Sequence, residues 1–139
     1  MINPRPLVIC TLLALHPAIL AAGNASAWFE PPIRLQADNQ VIDTGARWGH
    51  AAPAVADLNG DDLPDLVIGD FGGTFHAYHN TGTRQKPAFT AAGPIQAGGV
   101  AAEVRIYCCI GAQARFRDLT GDGIPDLLAN SYDPGHCYL

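Results

Sequence analysis

The sequence predicts an all-β chain of short antiparallel strands, and three observations carry that prediction. Two ten-residue stretches, Asp57 to Leu66 and Asp118 to Leu127, align without a gap at a spacing of 61 residues and are identical at seven positions. Each is led in and followed by a short apolar run of strand length. No window of helical length carries a 3.6-residue apolar stripe, while glycine, proline, Asn and Asp punctuate every junction. An internal period of this size marks a repeat architecture.

The elements follow in chain order. Residues 1–27 read as a targeting segment: Arg5, an apolar stretch from Leu7 to Ala22, then Ala25-Ser26-Ala27, whose small residues fit a signal-peptidase site. The stretch is short for a membrane span of about 20 residues and is broken at His16-Pro17. The expectation is a Sec-type signal peptide cleaved after Ala27, with Cys10 leaving in it, and a secreted product with no second run of spanning length. Residues 28–49 form a lead-in. A first repeat occupies 50–99, with strands at Pro53 to Asp57, Leu66-Val67-Ile68 and Phe75 to His79, the last closed by Asn80-Thr81-Gly82. The connection 83–113 carries little signal. A second repeat occupies 100–139, with strands at Ala114 to Asp118, where Phe116 alternates with Arg115 and Arg117, and at Leu127-Leu128-Ala129.

Composition narrows the function. With 139 residues, 8 Lys+Arg and 13 Asp+Glu, the chain holds about one domain and has no basic run, which argues against a nucleic-acid partner. Cys108 and Cys109 are adjacent in an extended-looking run, Val104 to Ile110, so they face opposite ways, and only one of them easily reaches Cys137. They read as structural cysteines. Of the mature histidines His50, His76, His79 and His136, the pair His76 and His79 is three apart, which on a strand sets them on opposite faces. No Gly-x-Ser-x-Gly, phosphate-cradling loop or His-Glu-x-x-His is present.

Seven of the thirteen carboxylates crowd into the two loops. Each like-charged pair about 5 Å apart costs roughly 1–3 kcal/mol at surface-like dielectrics, and a cation reverses that sign. Oxygen donors at positions 1, 3, 5 and 9, with the carbonyl of position 7, suit one hard ion. In the first loop these are Asp57, Asn59, Asp61, Asp65 and the Leu63 carbonyl; in the second, Asp118, Thr120, Asp122, Asp126 and the Ile124 carbonyl. An all-oxygen, flexible set favours calcium over magnesium, and without nitrogen or sulfur donors zinc is a poor candidate. The expectation is two Ca2+ sites. Gly60 and Gly121 permit the bend, and Asp62 stands where the second loop has Gly123, at a position expected to need positive φ. An EF-hand would place a bidentate Glu at position 12, where Ile68 and Ala129 stand.

The run Ala54 to Gly69, Ala-Val-Ala-Asp-Leu-Asn-Gly-Asp-Asp-Leu-Pro-Asp-Leu-Val-Ile-Gly, followed by Phe71-Gly72, closely resembles the FG-GAP, or VCBS-type, repeat of integrin α β-propellers. The second copy matches through its loop, with Tyr132-Asp133 in place of Phe-Gly. The resemblance implies four-stranded antiparallel blades of a β-propeller, one about complete and one partial, with calcium held by the loop residues named above. Further repeats of the same chain are then expected, since a propeller has at least four blades. It also implies a secreted, non-catalytic binding or adhesion scaffold for an extracellular protein or carbohydrate ligand. The alternative is the front part of a secreted propeller enzyme, such as a polysaccharide lyase, with its catalytic residues past Leu139.

The signal-peptide reading is checked by sequencing the exported product, which is expected to begin at Trp28; a product retaining Met1 in the membrane fraction would overturn it.

Overall fold

The computed structural model describes residues 31–45, 49–104, 111–130 and 135–139, and its strands all lie in the unit Ile33–Leu139. The targeting segment, Cys108, Cys109 and the Tyr132-Asp133 pair fall outside the described residues. Among those described there are eleven strands and no α-helix, as the punctuation and the missing helical stripe predict.

The strands are β1 (Gln36–Ala37), β2 (Gln40–Val41), β3 (Ala52–Ala56), β4 (Asp65–Gly69), β5 (Phe75–Asn80), β6 (Phe89–Pro94), β7 (Gln96–Ala97), β8 (Val100–Ala101), β9 (Gln113–Arg117), β10 (Asp126–Asn130) and β11 (Cys137–Tyr138). β3 to β6 run as a four-strand antiparallel meander within a six-stranded sheet ordered β2-β1-β6-β5-β4-β3. β9 to β11 form a three-stranded antiparallel sheet, and β7–β8 a small hairpin.

The repeat holds at the level of register. β3 pairs β4 through Ala52↔Gly69 to Ala56↔Asp65, and β9 pairs β10 through Gln113↔Asn130 to Arg117↔Asp126, every partner displaced by the same 61 residues. The next turn breaks the identity: Gly69 pairs Phe75 and Asn130 pairs Cys137, so the second connection is one residue longer.

β6, the small β7–β8 hairpin and the β1–β2 hairpin were not legible in the sequence. β6 lies inside the weak 83–113 stretch; it pairs β5 with a bulge opposite Ala77/Tyr78, next to Gly93 at φ 86°. The lead-in contributes the β1–β2 hairpin, whose two-residue turn has Asp38 and Asn39 both left-handed, at φ 51° and 62°. This hairpin joins the sheet in parallel, through Ala37↔Phe89 and a bond from Asp38 N–H to the Phe89 carbonyl. Asp38 also accepts the Ala91 N–H through Oδ2, at 2.9 Å.

The core lies between the two larger sheets. Val67 and Phe75 are wholly buried and meet Ala102, Val104, Ala112, Ala114 and Ala129, with Leu58, Ile95, Phe116, Leu127 and Tyr138 packed around them. The alternation of β5 supplies it: Phe75 and Ala77 point inward, His76 and Tyr78 outward. The many alanines permit a close approach of backbones. At Gly69 a β-carbon would sit 2.1 Å from the Ala112 carbonyl oxygen, and the Ala112 N–H bonds the Asp70 carbonyl at 3.1 Å.

Gly69→Ala is therefore expected to destabilise the chain by about 1–3 kcal/mol, the usual cost of overpacking, read as a lower midpoint in denaturant. An unchanged midpoint would show that the 111–112 segment does not bear on β4.

Candidate metal centre

The β3–β4 and β9–β10 loops share four internal hydrogen bonds. Asp57 accepts the N–H groups of Gly60 and Asp61 on Oδ1, at 2.7 and 3.2 Å, and that of Asp62 on Oδ2, at 2.9 Å. Asp118 accepts Gly121 on Oδ1 at 2.6 Å and Gly123 on Oδ2 at 2.9 Å. Asp61 takes the Leu63 N–H at 2.8 Å, and Asp122 that of Ile124 at 2.9 Å. Gly60 and Gly121 share φ 79°, while Asp62 at 64° occupies the left-handed position that Gly123 fills at 84°, as the alignment predicts. The carboxylates thus wrap their own loop by accepting main-chain donors.

This wiring sets the charge of the first position. Asp118 is held below the usual 3.8, first by the Gly123 and Gly121 N–H groups and further by the Arg117 charge, against some desolvation. At Asp57 desolvation is the largest single influence and pushes upward, but the N–H groups of Asp62, Gly60, Asp61 and Asn59 together outweigh it, so the net direction is again down. Both carboxyls are anionic at neutral pH.

Position 9 is used differently in the two loops. Asp65 is completely buried; its Oδ1 accepts the Asn80 N–H at 2.7 Å, and its Oδ2 the Leu58 N–H at 2.9 Å and His79 Nδ1 at 3.3 Å. Asp126 is half-buried and accepts Leu119 and Thr120 N–H on Oδ2, at 2.8 and 3.2 Å. A carboxylate offers about four lone-pair sites, so three donors nearly saturate Asp65, while the bonds at Asp126 use one oxygen. Asn59 is engaged within the loop, donating from Nδ2 to Asp61 at 3.0 Å and accepting the Asp61 N–H at 3.1 Å.

The donor chemistry fits a hard cation. Each loop presents only oxygens from side chains and carbonyls, on a turn fixed by its own hydrogen bonds. Among the described residues no three His, Cys, Asp or Glu side chains by themselves gather into a metal-holding cluster. Each predicted set contains three such carboxylates, Asp57, Asp61 and Asp65 in the first loop and Asp118, Asp122 and Asp126 in the second, so the structure does not draw either trio onto one point.

A second acidic centre was not anticipated. Asp70, just past β4, is completely buried. Its Oδ2 accepts Thr74 Oγ1 at 2.7 Å and His76 Nε2 at 2.9 Å, and its Oδ1 accepts the Thr74 N–H at 3.0 Å. An ionised carboxylate only accepts, which places the His76 proton on Nε2. Burial is the strongest influence on Asp70 and raises it, yet the bonds from His76 and Thr74 prevail and the net direction is below 3.8. His76 and His79 thus serve different carboxylates, Asp70 and Asp65, one near each end of β4. His136 sits edge-on to Tyr138, and Cys137 is exposed, with no disulfide partner among the described residues.

Substituting Asp70→Asn is expected to cost about 1–3 kcal/mol at neutral pH, because one acceptor oxygen is lost from a buried site. Since the folded-state value lies below 3.8, the ionised form contributes fully above that pH and is lost as pH falls through the folded value. The gap between parent and variant should therefore narrow in acid, as read by denaturant midpoints from pH 7 downward. A gap independent of pH would disprove the assignment.

The sequence model of the FG-GAP-like repeat family matches residues 57–129, a span that begins at the first loop and ends within β10. No solved structure matches the chain.

Proposed function

The chain belongs to the FG-GAP-like repeat family, a β-propeller-type module, and from that premise we propose that it is a secreted calcium-binding scaffold for adhesion or ligand binding, without catalytic groups of its own. The observation that carries this reading is a set of four hydrogen bonds that the two loops share at a displacement of 61 residues. A two-residue hairpin turn needs no such set of anions, so their repetition calls for a common cause.

In this reading the meander β3 to β6 is one blade, and β9 to β11 belong to the next. Asp57, Asn59, Asp61 and the Leu63 carbonyl, with Asp65 at the rear, would hold the first ion. Asp118, Thr120, Asp122, Asp126 and the Ile124 carbonyl would hold the second. Bound calcium supplies charge neutralisation for each acidic turn. The protein's own part is to keep Asp57 and Asp118 ionised and fixed, and to anchor each loop at the mouth of its hairpin. The clamped blades would present their remaining loops to an extracellular protein or carbohydrate.

Calcium is then a folding ligand. A ligand that binds only the folded loop stabilises it by about 2.7 kcal/mol at a hundredfold excess over Kd. The thermal midpoint is expected to climb with calcium but not with magnesium, and Asp57→Ala or Asp118→Ala should each remove part of that climb. A cooperative melt that is the same in EDTA and in calcium would reduce both loops to ordinary turns.

A further inference from the structure

The first loop has a visitor from elsewhere in the chain. Arg84 lies in the β5–β6 connection, 22 residues away from Asp62, and its Nη2 donates to the Asp62 main-chain carbonyl. Asp62 is the loop's strained residue, a non-glycine at φ 64°, and its own N–H is bonded to Asp57 Oδ2 at 2.9 Å. Arg84 lines the same small cleft as Asp57, Asp62 and Leu63; among the described residues its guanidinium makes no ion pair with a carboxylate, and its contact with the loop is the Asp62 carbonyl.

We propose that Arg84 is a positioning residue that sets the calcium affinity of the first loop by acting as its resident cation. The inference rests on the calcium reading above. A guanidinium is charged at every relevant pH. With no metal bound, it offsets the mutual repulsion of Asp57, Asp61 and Asp62 and holds the Asp62 turn through its carbonyl. With metal bound, the same charge repels a divalent ion close by. Arg84 therefore raises ion-free stability and lowers calcium affinity, two effects of opposite sign. A hydrogen bond that served only to tidy the loop would not weaken binding.

The test uses the purified full chain carrying Asp118→Ala, which leaves the first loop as the calcium site. Calcium affinity is measured by competition with a chromophoric chelator, and the thermal midpoint is read in EDTA. Arg84→Gln is expected to bind calcium roughly threefold to tenfold more tightly at low salt, the gain shrinking as ionic strength rises, and to melt lower in EDTA. Arg84→Lys keeps the charge and should stay within about twofold of its parent in affinity. An Arg84→Gln affinity equal to or weaker than that of the parent overturns the proposal while leaving the calcium reading intact. Absence of any calcium binding in the Asp118→Ala chain, with Asp57→Ala making no further difference, overturns both.

Discussion

The first sheet is organised around the buried carboxyl of Asp65. A carboxyl group placed out of water is costly unless every oxygen finds a donor. Asp65 meets that condition by drawing on three separate places: Leu58 in the β3–β4 loop, the Asn80 backbone at the end of β5, and the His79 ring. The group thereby fixes the loop against the third strand and sets where β5 must end. Asn80 continues the chain of constraints, because its Oδ1 accepts the Gly82 and Ala88 N–H groups at 3.0 and 3.2 Å and so shapes the turn into β6. The β3–β4 loop, the end of β5 and the return to β6 share one polar network.

Asp70 plays the complementary part at the other end of β4. Its side chain closes the β4–β5 turn through Thr74 and His76, and its carbonyl receives the Ala112 N–H from the segment leading into β9. Between these two carboxylates every residue of β4 is buried. The strand is apolar because it is paired on both sides and covered by the core, and its ends are polar because buried main-chain groups in the turns need acceptors. The second repeat lacks this depth: β10 is only half-buried over most of its length, since it lies in a three-stranded sheet. Its position-9 residue, Asp126, stays within its own loop, and the two loops differ mainly in how firmly they are tied to the sheet behind them.

Charge compensation follows the same logic at the surface. The two loops meet an arginine by different routes: Arg84 comes from a distant connection onto the Asp62 main-chain carbonyl of the first, and Arg117, in the strand adjoining the second, lends its charge to Asp118. A local repeat can therefore keep its backbone geometry while its electrostatic surroundings diverge.

The sequence by itself determined the strands beside each loop, the repeat at a 61-residue displacement, the left-handed residue at Asp62 and the oxygen-only donor set. These are local matters: turn chemistry and alternation are written in neighbouring residues. Tertiary structure alone decided the rest. The parallel attachment of β1 to β6 joins segments some fifty residues apart that no periodicity links. The sinking of Asp65 behind its loop depends on Asn80 and His79, and the pairing of Asp70 with His76 depends on the length of a turn. Arg84 reaches Asp62 only because β5 and β6 return it there. A sequence names its donors and acceptors one at a time; which of them meet is settled by the fold that brings distant segments together.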